Sequence, residues 1–255
     1  MKISIITISY NNELDIEGTI LSVVNQKYNN IEYIIIDGAS TDNTIFKINK
    51  YKNKISKIVS EPDEGIYDAI NKGIKISTGD LVGLIHAGDR LFNDNVISDI
   101  ANFFINNSEL DISYGHDIIV KKNDDPIRVN KSPEYSRNLI ERGWMPAHQS
   151  IYIKKELFEK HGLYRTDLGG SGDYEFFLRY FYFSKLEIKR IDKFILKFSF
   201  GGRSTSNIFR TIRAQKVHAN CWKLNGQNPP LFLIPLKLLR KIPQFIRAFK
   251  MKLNF

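Results

Sequence analysis

With 255 residues, 42% hydrophobic and 25% charged, the chain has the make-up of a globular protein long enough to bury a full core. Its single cysteine, Cys221, excludes an intrachain disulfide framework and fits a reducing compartment. The net charge of +9 is unevenly placed: from Lys193 onward there are 13 Lys and Arg and no Asp or Glu, which leaves −4 on residues 1–192. Such asymmetry points to an anionic surface, membrane or nucleic acid. No run approaches the roughly 18 apolar residues of a spanning helix. Met1-Lys2-Ile3-Ser4 leads straight into a strand-like run with no cleavable leader, so a cytosolic protein is expected.

In chain order, Ile3 to Tyr10 is β-branched and apolar, the pattern of a buried strand broken by Asn11-Asn12. Asp15 and Glu17 open a helix whose Ile16, Ile20, Val23 and Val24 recur at helical spacing. Ile31 to Asp37 reads as a second strand. Thr41 or Asp42 can cap a helix reaching about Lys52, and Lys54 to Ser60 reads as a third strand. After the turn Asp63-Glu64-Gly65, Ile66 to Ile76 is a helix with Ile66, Ile70, Gly73 and Ile74 on one side. A fourth strand, Leu81 to Ile85, ends at Ala87-Gly88-Asp89. This β-α-β-α-β-α-β order predicts an α/β fold, a mostly parallel sheet covered by helices on both faces. A dinucleotide-binding unit is disfavoured, because Tyr10-Asn11-Asn12-Glu13 lacks the glycines that let backbone approach a pyrophosphate.

The pattern then loosens. A helix is expected at Val96–Ile105, and a strand at Asp111–Val120 bent near Tyr114-Gly115-His116-Asp117. Lys121 to Asp125 is a polar turn, Ile151–Ile153 a strand, and a short helix follows from Lys155. A loop Gly169-Gly170-Ser171-Gly172 precedes a helix from Asp173, with Phe176, Phe177, Tyr180 and Phe181 on its inner face. Two strands, about 187–191 and 194–200, end at Gly201-Gly202.

Asp89 stands at the carboxyl end of a central strand, where ligands of open α/β sheets gather. A divalent cation takes oxygen ligands, commonly one or two carboxylates plus substrate phosphates. The plainer alternative is a turn Asp bonding its own backbone.

Five segments in order resemble the family-2 glycosyltransferases, inverting enzymes of the GT-A fold that use nucleotide-diphosphate sugars. They are Thr7-Ile8-Ser9-Tyr10-Asn11; Asp37-Gly38-Ala39-Ser40-Thr41-Asp42-Asn43-Thr44; Glu61 to Gly73; His86-Ala87-Gly88-Asp89; and Gly172-Asp173-Tyr174-Glu175. The resemblance covers about residues 1–205, and the wording of Asp63 to Gly73 is similar to the subgroup that builds bacterial surface polysaccharides. It implies that Thr7, Ser9, Tyr10 and Asn11 face the nucleoside, with Thr7 and Ser9 as ordinary strand residues the alternative. Asp37 would accept from base or ribose, or else be satisfied by the Ser40 and Thr41 amides. Asp68 and Asn71 would lie toward the donor phosphates, although Asp68 with Lys72 is also an i,i+4 surface pair worth a few tenths of a kcal/mol.

Asp89 carries over as the final Asp of the family's acidic metal motif, implying Mn²⁺ or Mg²⁺. Here His86 and Gly88 replace further acids, and Ala69-Ile70-Asn71 departs from a common Ala-Arg-Asn. Asp173 resembles the catalytic base that takes the acceptor's proton in an in-line displacement. A helix N-cap is its alternative, and Glu175 is the reserve. His148 and Gln149 match the acceptor side, Arg203 and Ser204 a loop over the phosphates, and Trp144 is read as core more than sugar platform.

Residues 1–225 are therefore expected to form the catalytic domain, 1–90 binding the nucleotide-sugar and 91–225 the acceptor, with 226–255 a basic amphipathic tail. On a helical wheel Leu238, Leu239, Ile242, Phe245, Ile246, Phe249 and Leu253 share one face, opposite Lys237, Arg240, Lys241 and Arg247. That is the pattern of a helix lying on anionic lipid. Docking on the catalytic domain is the alternative, and Pro235 and Pro243 predict a kink or two pieces. No nucleic-acid reading module is present. The expectation is a metal-dependent inverting glycosyltransferase, UDP-sugar favoured, peripheral to the inner face of the cell membrane and acting on a saccharide or lipid-linked acceptor. A silent sugar-nucleotide-binding scaffold and a nucleotidyltransferase are the alternatives; retention of Asp89 and Asp173 argues against the first.

Overall fold

The computed structural model describes residues 1–201, 217–231, 233 and 242–253. Four parallel strands, β1 (Ile3–Ser9), β2 (Ile31–Asp37), β3 (Lys57–Ser60) and β4 (Leu81–His86), alternate with α1 (Ile16–Val24), α2 (Thr44–Asn49) and α3 (Ile66–Ile76). Every residue of β1 is buried, as a strand covered on both faces requires. Beyond β4 come β5 (Arg90–Leu91), α4 (Val96–Ile105), β6 (Ile112–Val120), β7 (Pro126–Asn130), α5 (Arg137–Glu141), β8 (Ile151–Lys154) and α6 (Glu156–His161). The chain continues with α7 (Gly172–Phe177), a π turn at Leu178–Tyr182, β9 (Ile188–Ser199), α8 (217–224) and α9 (Ile242–Leu253).

Among the described residues the sheet runs β3-β2-β1-β4-β8-β6-β9-β5, with β7 paired to β6. β8 is antiparallel to β4 and β6, while β9 is parallel to β6. Only three residues separate β4 from β5, yet β5 pairs with β9 at the far end of the order. So short a connection closes only if the sheet curls, returning the end of β9 to the end of β4.

One face of the sheet packs Ile6, Ile34 and Ile36 against α3 and α7; the other packs Ile5, Tyr33 and Ile35 against α1 and α4. Gly73 lets α3 sit directly on β1, since a Cβ there would fall 2.4 Å from Ile6 Cγ2.

Several local expectations are corrected. Ile188–Ser199 form one strand, not two: Asp192-Lys193 stays within it as part of a bulge, the four steps from Arg190 to Phe194 lying against the two from Tyr114 to His116. β3 begins only at Lys57, because Lys52–Lys54 is a 3-10 turn. β5, β7 and α5 were not expected; each is two to five residues long, too short to carry a period.

The tail helix α9 starts just before Pro243, which is tolerated in a first turn. It lies on β7. Gln244 accepts from Arg128 Nε at 3.0 Å, and Ala248 is buried with Ile118, Val120 and Val129. The docking side is Gln244, Ala248 and Met251, so the apolar stripe points outward: Phe245, Ile246 and Phe249 are 50%, 53% and 64% exposed. Residues 234–241, including Lys237, Leu238, Leu239, Arg240 and Lys241, lie outside the described residues.

Candidate active site

The ends of β1, β2 and β3 are laced together. Asp37 is fully buried; Oδ2 accepts from Ser40 N and Ser60 Oγ, both at 2.8 Å, and Oδ1 accepts from Ser40 Oγ. Asn11, in the left-handed region at φ 48°, accepts from Thr41 N at 2.9 Å. Thr7 is buried with its hydroxyl 3.1 Å from Tyr33 Oη, on the core side of β1. Ser9 Oγ is buried with no partner among the described residues, and Tyr10 is half exposed.

Beside Tyr10 the structure brings in Asp63, which sequence reasoning treated as a turn residue. A Cβ at Gly38 would fall 2.5 Å from Asp63 Oδ2 and 3.4 Å from the Tyr10 ring, so both side chains border bare backbone at the strand tips.

On α3, Asp68 accepts from Glu64 N at 3.1 Å and pairs with Lys72 at 3.3 Å; Lys72 also reaches Glu61 at 3.0 Å. This is a solvated charge cluster. Asn71, expected near the donor phosphates, fastens α3 to the segment after α6. Its amide donates to Tyr164 O at 2.8 Å and accepts from Tyr164 N at 3.0 Å.

At the end of β4, Gly88 takes φ 98°, a conformation that glycine adopts without cost, and turns the chain to present Asp89. Thr19 of α1 pins the turn, accepting from Gly88 N at 2.9 Å and donating to Asp89 O at 2.7 Å. Asp89 Oδ1 accepts from Ser199 N at 3.0 Å and Oδ2 from Gln149 Nε2 at 2.8 Å. Burial pushes its carboxyl up to about 6, only partly opposed by those two hydrogen bonds. Among the described residues no cation pairs with it, and no group of three His, Cys, Asp or Glu could hold a metal.

Asp173 lies in the first turn of α7, with Ser171 at the N-cap position. Its Oδ1 accepts from Tyr67 Oη at 3.1 Å and from Tyr174 N at 2.8 Å, and its Oδ2 is 4.0 Å from His148 Nδ1. His148 Nε2 is 2.7 Å from His86 Nε2, and burial holds both imidazoles below the ordinary histidine range. Glu175 is committed elsewhere: it is buried and grips Arg179 with both oxygens at 2.9 Å. Trp144 is core, packed on Tyr114 and Phe177. Arg203 and Ser204 lie outside the described residues.

One turn, His148–Ser150, joins the two carboxylates. Gln149 donates to Asp89 and accepts from His86 N at 2.6 Å, while its neighbour His148 faces Asp173. The turn therefore links a half-buried acid just past the tip of β4 to a second half-buried acid on α7, each fixed by different donors. Among these donors sequence reasoning missed Tyr67, Ser199 and Thr19. Only Tyr67 carried a local signal, lying inside the Gly65-Ile66-Tyr67-Asp68 segment.

The Glycosyl transferase family 2 model matches residues 4–180. The chain belongs to this family. It is a glycosyltransferase. An uncharacterized glycosyltransferase of Mycobacterium tuberculosis is 31% identical over 69% of this chain and 68% of its own. A PGL/p-HBAD biosynthesis glycosyltransferase of Mycobacterium bovis is 26% identical over 72% of each chain. The fold is that of Staphylococcus aureus TarS 1–349 in complex with UDP-GlcNAc, at TM-score 0.67 and 18% identity over 97% of this chain and 79% of that one. The mannosyltransferase PcManGT of Pyrobaculum calidifontis, in complex with GDP-Man and Mn²⁺, gives TM-score 0.66 and 18% identity over 99% and 75%. Against a further structure of TarS 1–349 the match spans 60% of that chain.

Proposed function

We propose that this family-2 glycosyltransferase inverts the anomeric centre, moving a hexose from a nucleotide-diphosphate sugar, a UDP-sugar in the first instance, to a saccharide acceptor in surface polysaccharide synthesis. The observation that carries the reading is the His148–Ser150 turn, whose neighbouring residues reach Asp89 and Asp173 in unlike settings. As the acceptor oxygen bonds to the anomeric carbon, the bond to the diphosphate breaks and its electron pair leaves with the diphosphate. Asp173 takes the acceptor's proton at the oxygen not saturated by Tyr67 and Tyr174. Tyr10 and Asp63 border the nucleoside at the strand tips.

Asp89 fits a divalent cation as its single protein carboxylate: it is half-buried, held by two neutral donors, and has no positive partner among the described residues. Mn²⁺ or Mg²⁺ held there would neutralise the leaving diphosphate, whose oxygens complete the coordination.

The acceptor is proposed to be lipid-linked, with the enzyme on the cytoplasmic face of the membrane. Support comes from the exposed stripe Phe245, Ile246 and Phe249, set on an acid-free segment beside Arg247 and Lys250. No helix among the described residues is long and apolar enough to cross a membrane. The direct test is nucleoside-diphosphate release from UDP-, GDP- and dTDP-sugars with Mn²⁺ or Mg²⁺. Release that is the same in chelator as in cation would overturn the metal reading.

A further inference from the structure

Between the two imidazoles lies a single position for a proton, because Nε2 faces Nε2 at 2.7 Å. The surroundings decide which ring carries it. If His148 Nε2 held the proton, His148 Nδ1 would turn a lone pair toward Asp173, and His86 Nδ1 would become a buried N–H. That atom has no partner among the described residues. A buried orphan N–H is costlier than a bare ring nitrogen, and a lone pair facing a carboxylate is repelled. With the proton on His86 Nε2 both faults vanish. His148 then presents Nδ1–H to Asp173 Oδ2 at 4.0 Å, an electrostatic contact rather than a hydrogen bond.

On the other oxygen stands Tyr67. Its hydroxyl donates to Asp173 Oδ1 from 106 residues away in sequence. The ring is fixed by stacking on Tyr164, at 5.8 Å between centroids and 8° between planes. Tyr164 in turn is the residue whose backbone Asn71 clasps. One helix, α3, thus reaches the acid on α7 directly through Tyr67 and braces Tyr67 through Asn71.

We propose that Tyr67 and His148 are positioning residues for Asp173, with His86 serving to impose the His148 tautomer. Tyr67 fixes Oδ1 and His148 attracts Oδ2, so the carboxylate cannot rotate away from an incoming hydroxyl. This rests on Asp173 being the base. Neither residue touches the reacting atoms; each acts through the carboxylate.

Two measurements test it. ¹⁵N NMR of the histidine-labelled enzyme should show His148 protonated at Nδ1 and His86 at Nε2. Protonation of His148 at Nε2 would overturn the tautomer argument and the His148 role with it. The second is nucleoside-diphosphate release from whichever of UDP-, GDP- or dTDP-sugar is turned over, with water standing in for the acceptor. Tyr67→Phe keeps the stacked ring and removes one hydrogen bond to a charged group, so kcat should fall about ten- to a hundredfold with donor KM near wild type. His148→Leu should behave similarly, and His148→Asn, which retains an N–H, should recover part of the loss. In the Asp173→Asn background Tyr67→Phe should cost nothing further, since coupling through one carboxylate is non-additive. Equal losses in both backgrounds would overturn positioning while leaving the base intact. Full activity of Asp173→Asn itself would remove the base reading, and the positioning roles with it.

Discussion

Asp89 and Asp173 are chemically identical side chains held by unlike neighbours. Asp89 is half-buried against two neutral donors, and Asp173 sits between a tyrosine hydroxyl and an imidazole. Asp173→Asn should therefore keep donor binding near wild type while transfer falls by about 10²–10⁴. Collapse of donor affinity instead would place Asp173 on the nucleotide side. Asp89→Asn should do the reverse, weakening Mn²⁺-dependent donor binding as well as turnover. Donor titrations by calorimetry in Mn²⁺ and in chelator separate the two.

A buried acid away from the site, Asp117, gives a pH prediction. Asp117 accepts from Asn130 Nδ2 at 2.7 Å, and burial raises its carboxyl to about 6 despite the nearby Arg128. A group that binds its proton more tightly when folded stabilises the native state below its unfolded pKa, near 3.8, and that stability is lost as pH rises toward 6. Asp89 acts with the same sign. Urea unfolding of Asp117→Asn between pH 4 and 7 should show a shallower fall in stability than wild type. An unchanged slope would show that Asp117 is already ionised at pH 4.

At the scale of elements, α9 has two working sides. Gln244, Ala248 and Met251 bind it to the β6–β7 hairpin, and Phe245, Ile246 and Phe249 face solvent. The tail is thus proposed to be a fixed footing and not a loose tether. Fully burying one Phe contributes about 1.5–3 kcal/mol. Replacing Phe245 and Phe249 with Ser should lower sedimentation with anionic vesicles by more than tenfold at unchanged net charge and unchanged melting temperature. Wild-type binding should fade as salt rises, because attraction to the surface is screened within a Debye length. Strong binding to neutral vesicles, or binding indifferent to the two substitutions, would argue against this orientation.

For the whole molecule, the curl of the sheet is what assembles one site. It returns Ser199, at the end of β9, to Asp89 at the end of β4, so the two ends of the sheet meet at one carboxylate. A ligand that binds only this assembled site stabilises the fold by mass action, about 2.7 kcal/mol at a hundredfold excess over Kd. For a chain of this size that corresponds to a melting shift of about 5–10 °C. One class among UDP-, GDP- and dTDP-sugars should give this shift with Mn²⁺ or Mg²⁺, and Asp89→Asn should lose most of it. A shift that Asp89→Asn retains in full would place the donor's contacts elsewhere.

The first 90 residues were legible from sequence because their signals are local. β-branched runs and 3.6-residue spacing placed β2 at Ile31–Asp37 and α3 at Ile66–Ile76, and Val96–Ile105 was equally readable as α4. The same logic put Asp89 at a strand end and Asp173 in the first turn of a helix. What no local pattern contains is which distant donor reaches which carboxylate. Gln149 finds Asp89 across 60 residues and Tyr67 finds Asp173 across 106, through sheet curvature and close helix packing. The same long-range geometry turned Asn71 toward the Tyr164 backbone and brought Ser60 to Asp37, whose bond from the Ser40 amide is local and was among the sequence alternatives. It also chose the side of α9 that docks: the wheel drew the apolar stripe, but β7 offered Arg128 to Gln244 and left the phenylalanines outside. Sequence determined the elements and the chemistry at their ends, because those depend on neighbours a few residues away. Tertiary structure decided the partners, because burial makes every donor and acceptor find a match wherever the fold brings one.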